Sequence, residues 1–122
     1  MNQETLVYFD EATGIVMNSG RPASNVEDAR GTLRRAAELL EGKYPRLLLV
    51  DLRDAPLNLS SDVRQALMEE SRKLKLDRQA FVVSNPVIRM LAKAIARVTS
   101  VAAEAGFFPT VEEAVAWLRR GK

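Results

Sequence analysis

The sequence contains no cysteine. That excludes disulfides, thiolate nucleophiles and thiolate metal sites, and it fits a reducing compartment. Histidine is absent as well, so the side chain that most often serves as acid, base or metal ligand near neutral pH is missing. Ser-His and Cys-His nucleophile pairs are impossible, and a zinc hydrolase is disfavoured. What remains is carboxylate, Lys, Tyr or Ser chemistry. Glycine and proline are scarce, at six and five of 122 residues, and no stretch has the bias of a disordered segment. Apolar runs such as residues 47–50 are far too short to cross a bilayer. The start, Met1-Asn2-Gln3-Glu4, lacks the basic and apolar regions of a signal peptide. These absences predict a cytoplasmic protein with no transmembrane segment.

What is present suits one globular domain spanning residues 1–122. The chain is 47% apolar and 28% charged, ordinary values for a folded protein. A chain of this length buries roughly two-thirds of its unfolded surface. The net charge is +2, with acids and bases interspersed. Nucleic-acid domains usually carry a dense basic face, so no nucleic-acid partner is expected.

Two short apolar segments open the chain, Leu6-Val7-Tyr8-Phe9 and Gly14-Ile15-Val16-Met17. A four-residue loop between them reads as a hairpin in which Gly14 supplies positive φ. Ser24 with Glu27 forms a capping-box pattern ahead of Val26, Ala29, Leu33, Ala36, Ala37 and Leu40, which recur at helical spacing and stop at Gly42. Residues 46–52 read as a central strand covered on both faces. A helix follows over residues 61–74, with Val63, Leu67, Ser71 and Leu74 inward. Asp77-Arg78 then turns into a second buried strand over residues 79–83. Ser84, Asn85 and Pro86 read as strand end, cap and first helical residue. Val87, Ile88, Leu91, Ala94, Ile95 and Val98 form the inward stripe of that third helix. Residues 102–108 suit a short edge strand. Thr110 with Glu113 caps a last helix whose inward residues are Val111, Ala114, Trp117 and Leu118. The predicted fold is therefore α/β: a mixed sheet of four or five strands, an N-terminal β-hairpin and about four helices, with right-handed parallel crossovers.

Three stretches carry a resemblance. They are Leu48-Leu49-Val50-Asp51-Leu52, then Ala80-Phe81-Val82-Val83-Ser84, then the ending from Phe107-Phe108-Pro109-Thr110 through Trp117-Leu118. With the order of elements, they resemble the STAS domains, which include anti-sigma-factor antagonists and the tails of sulfate transporters. The likeness is closer to small stand-alone bacterial proteins of the STAS/SEC14-like class. The resemblance implies a STAS-like fold and a regulatory, non-catalytic role. In anti-sigma-factor antagonists an Asp-Ser-Ser-Gly motif at a helix start carries a phosphorylated serine. Here Leu59-Ser60-Ser61-Asp62 stands at the matching spacing, with Ser61 at the phosphorylated position and Ser60 before it. The flanking Asp and Gly are replaced by Leu59 and Asp62.

The residues themselves offer further candidates, each with a plainer reading beside it. Ser61 at a helix start suits an anion, but a serine there is first of all a cap, and Asp62 already adds negative charge. Asp51 and Asp54 follow a central strand, where open α/β sheets bind ligands. Acids at such ends are commonly turn residues. Ser84 and Asn85 would stand at the neighbouring strand end, with Asn85 explained as a cap. Arg89, Lys93 and Arg97 recur every four residues with no acid to offset them. They form a stripe that suits an acidic partner, a phosphate or an anionic membrane. Phe107, Phe108 and Trp117 read first as core, and Met90 reads as partly exposed.

The first functional reading is a non-catalytic module, of a kind that could form a homodimer, that binds a protein partner through the loop over residues 53–62 and the second and third helices. The second is a binder of a small apolar or anionic ligand. The third is an enzyme using Asp51 or Asp54. No cofactor or metal is expected, although two acids three residues apart could in principle bind a metal or share acid/base work.

Overall fold

The computed structural model describes residues 6–19, 25–51, 60–83 and 102–120, together with Pro86, Met90 and Lys93. Asp10 organises the first turn. Its carboxylate accepts from the Thr13 hydroxyl at 2.9 Å and from the Ala12 amide at 3.3 Å, while its carbonyl accepts from the Gly14 amide at 2.8 Å. Gly14 takes φ +75°, a conformation that glycine adopts without the Cβ clash. Strands β1 (Leu6–Asp10) and β2 (Ile15–Ser19) accordingly pair antiparallel, with Asp10 opposite Ile15.

Helix α1 (Val26–Leu40) is capped by Asn25, not by Ser24 as the capping-box pattern predicts. Asn25 Oδ1 accepts from the Asp28 amide at 2.7 Å. Asn and Ser are near-equal caps, so adjacent candidates leave the start to whichever side chain reaches the third amide. Glu27 and Asp28 place negative charge in the first turn, where the helix dipole favours it. The helix ends at Leu40 with Glu41 as its C-cap, and Gly42 just beyond takes φ +76°. Ala29, Leu33, Ala36 and Leu40 are its buried stripe, as the spacing requires.

Strand β3 (Leu47–Asp51) is buried on both faces through Leu47, Leu48 and Leu49. Helix α2 (Ser61–Arg72) follows, with Val63, Ala66 and Glu70 buried. Strand β4 (Leu76–Val82) starts earlier than expected, because Asp77 and Arg78 belong to the strand and not to the turn. The reversal falls on Lys75, φ +52°. Asp77 is recruited into the sheet by Arg46: its Oδ2 accepts from the Arg46 amide at 2.7 Å. The Asp77 and Arg78 amides both donate to the Arg46 carbonyl, at 2.9 and 3.4 Å. Two residues of β4 thus face one beside β3, in the manner of a bulge. Strand β5 (Ala102–Phe108) and helix α3 (Val111–Arg120) complete the chain, with the Thr110 hydroxyl accepting from the Glu113 amide at 3.2 Å. The helix expected after Ser84 lies mostly outside the described residues. Pro86, Met90 and Lys93 within it are helical, and the described residues otherwise hold three helices.

The five strands lie in the order β1-β2-β3-β4-β5, antiparallel at the first pair and parallel at the other three. Alternate side chains serve opposite faces. Ile15, Met17, Leu47, Leu49, Ala80 and Val82 meet Ala114 and Leu118 of α3. Val16 and Leu48 meet Leu33, Ala36 and Leu40 of α1, joined by Leu74 and Leu76. Helix α2 packs on α1 through Ala29, Val63 and Ala66.

Arg46 ties the ends together. Its Nε donates to the Leu74 carbonyl at 2.9 Å and its Nη1 to the Leu40 carbonyl at 3.1 Å. A cation at the carboxyl ends of two helical segments satisfies carbonyls that their own turns leave open. We predict that Arg46→Met lowers unfolding free energy by about 1.5–3 kcal/mol, read from the midpoint of urea denaturation. An unchanged midpoint would show that water replaces the guanidinium at no cost.

Gly106 lies under an aromatic pair. A Cβ built there would come within 2.7 Å of the Phe108 ring, which packs against Trp117 with centroids 5.4 Å apart. Gly106→Ala is expected to displace Phe108 and destabilise by about 1–3 kcal/mol, with a changed Trp117 fluorescence maximum.

Candidate functional site

The carboxyl ends of the parallel strands are where an open α/β sheet presents ligands. Asp51 ends β3, half-buried, with Val82 of β4 beside it in register. Ser60 and Ser61 introduce α2, and their roles are divided. Ser60 Oγ accepts from the Val63 amide at 3.2 Å, so Ser60 is the cap. Ser61, for which capping was the leading expectation, is instead the first helical residue and is exposed, with Asp62 beside it. Asp54, Ser84, Asn85, Arg89 and Arg97 lie outside the described residues. Of the candidates at these strand ends, the structure therefore describes Asp51, Ser60 and Ser61.

Of the basic stripe, Lys93 is described. It is exposed, and its Nζ stands 5.9 Å from the centroid of the Phe107 ring. Met90, one turn earlier, is 72% exposed. Phe107 stacks on Phe81 with centroids 5.0 Å apart and planes 12° from parallel. The predicted C-terminal aromatic group is therefore split by the sheet. Phe108 and Trp117 join the α3 side, while Phe81 and Phe107 alternate onto the α1 side with Val50.

Two buried polar residues escaped the sequence reading. Gln79 is 5% exposed in the middle of β4, between Leu48 and Ala105 in register. Among the described residues its Oε1 has no hydrogen-bond partner. The only signal was a lone amide inside an apolar strand. Glu70 is 3% exposed, and its spacing from Val63 and Ala66 placed it on the inward stripe of α2.

Glu70 is the centre of a seam between α1 and α2. Its Oε2 accepts from Arg30 Nη1 at 2.8 Å, with Lys73 Nζ at 3.5 Å and Arg34 Nη2 at 3.9 Å. Arg30 Nη2 also reaches Glu69 Oε1 at 3.1 Å, and Gln65 donates to Glu69 at 3.1 Å. The Arg30 hydrogen bond holds the Glu70 carboxyl below its ordinary range. Burial opposes this, and the Lys73 and Arg34 charges reinforce it. Glu69 is lowered by the same guanidinium and then by Gln65, while Arg30 is raised by the two carboxylates. Each acid here is matched by a fixed cation, so the seam is a fastening between helices and not a proton-transfer centre.

Elsewhere, a shallow open depression runs along α3, lined by Val111, Val115, Ala116 and Arg119 among others. Among the described residues no group of three or more acids is placed to hold a metal ion, and no helix is long and apolar enough to cross a membrane.

A carboxyl depressed in the fold lends stability above its unfolded pKa, about 4.3 for Glu, and loses it as pH falls through the folded value. We predict that the wild-type stability curve falls steeply below about pH 4.3. Glu70→Gln should flatten that acid limb while lowering stability at pH 7, as followed by urea titrations between pH 7 and 3. Equal slopes in the two proteins would remove Glu70 as the cause.

No curated protein and no solved structure significantly matches the chain. A family model does match, over residues 10–122, and the chain belongs to that family, DUF7793, described as a domain of unknown function.

Proposed function

We propose that the chain is a non-catalytic regulatory module of STAS type that works by contact with a protein partner. The supporting observation is the division of roles at the start of α2. Because Ser60 supplies the cap, the Ser61 hydroxyl is exposed and is not needed to start the helix. The resemblance to anti-sigma-factor antagonists points to this same serine. A phosphate on Ser61 would meet the amides of the first turn. Asp62 beside it would weaken that attraction, so any switch here gains more from the new charge seen by a partner than from helix stabilisation. The sequence supports a role in recognition further, since it lacks both imidazole and thiol. Met90 and Lys93 are exposed on a further helical segment, and self-association into a homodimer belongs to the same reading.

The test separates recognition from folding. Ser61→Asp should change which protein co-purifies with the tagged chain, by about tenfold in recovery, with stability altered by less than about 0.5 kcal/mol. Ser60→Ala should cost about 1 kcal/mol of stability and leave the recovered partner unchanged. Recovery of no stable partner, or of the same partner in equal amount with Ser61→Asp, would count against the reading.

A further inference from the structure

A buried amide without a partner is uncommon in a folded protein, because water has been taken from it and nothing given back. Gln79 is such a group, and its position is informative. Parallel central strands buried on both sides are usually apolar throughout. Gln79 interrupts that pattern, with Leu48 on one side and Ala105 on the other in register. Two residues along β4, on the same face, is Phe81, stacked on Phe107 of β5. Both rings keep part of their surface accessible, and Lys93 Nζ stands over Phe107.

The face thus combines three chemistries in sequence. A hydrogen-bond acceptor lies deep in apolar surroundings, a flat aromatic wall follows it, and an exposed ammonium marks the outer end. Binding sites for small molecules have this composition, mostly apolar with a few placed polar groups. From this we infer that Gln79, Phe81, Phe107 and Lys93 form a binding site for a small amphiphilic anion. Its apolar body lies along the Phe81–Phe107 pair. An N–H or O–H on the ligand donates to Gln79 Oε1, and its carboxylate, sulfonate or phosphate faces Lys93. The inference does not depend on the chain having a protein partner.

The probe is 1-anilinonaphthalene-8-sulfonate, which carries an aromatic body, one N–H and one anionic group. The native chain should bind it saturably with enhanced fluorescence. Gln79→Leu should weaken binding about tenfold through loss of one buried hydrogen bond, while folding as well as the parent or better. Lys93→Glu should weaken it about tenfold at low salt, and by less as ionic strength rises. Competition identifies the body: displacement by octanoate supports an aliphatic ligand, and displacement by indole-3-acetate supports an aromatic one. The proposal fails if the probe does not bind, if neither competitor displaces it, or if both variants bind as the native chain does. A raised melting temperature in Gln79→Leu with unchanged binding would mean that Gln79 holds an ordered water only.

Discussion

Parallel strands joined by helices must return each crossover to the same edge of the sheet, and the returning chain brings helix carbonyls that no longer have an internal partner. In this protein Arg46 meets that demand. Its side chain donates to two such ends at once, at Leu40 and at Leu74, while its backbone pairs with Asp77 and Arg78. The end of α1, the turn after α2 and the first residues of β3 and β4 are therefore fixed relative to one another by one residue. The two crossovers flanking β3 share a common anchor. With that edge fixed, the opposite ends of β3 and β4 are held in register, and Asp51 stands beside Val82.

Charge and packing divide the remaining work. The sheet interior is apolar on both faces, and the α1–α2 seam is fastened by Arg30 and the paired glutamates. Buried ion pairs add little net stability over well-packed apolar groups, so the seam's contribution lies in fixing how α2 sits on α1. That orientation in turn decides where Ser60 and Ser61 are presented.

The fold was largely legible because its signals are periodic. Leu47, Leu48 and Leu49 announce a strand covered twice, and Ala29, Leu33, Ala36 and Leu40 announce a helix with one inward stripe. Gly14 and Gly42 mark their turns through positive φ. Local choices between near-equal residues were harder. Ser24 and Asn25 are near-equal candidates for one cap, and Ser60 and Ser61 for another, and periodicity does not choose between them. The early start of β4 was not legible, because it depends on Asp77 meeting Arg46 from a distant part of the chain. The candidate site was less legible than the fold. Gln79 and Glu70 have polar side chains at positions where periodicity alone says burial, and only tertiary contacts reveal that, among the described residues, the Glu70 carboxylate is paired while the Gln79 side-chain oxygen is not. The split of Phe107 from Phe108 follows simply from strand alternation, once residues 102–108 are accepted as a strand.

The cover of the two sheet faces is unequal in time. Helix α1 is made before β3, so the Val16 and Leu48 side has its lid early. The other side, with Ile15, Leu49 and Val82, is closed by Ala114 and Leu118 of α3. During synthesis that apolar surface stays wet until residues near 118 have emerged, a condition that invites sticking to other nascent chains. A messenger truncated shortly before this helix would yield a product with a bare hydrophobic sheet, suited to capture by chaperones and proteases and ill suited to accumulate.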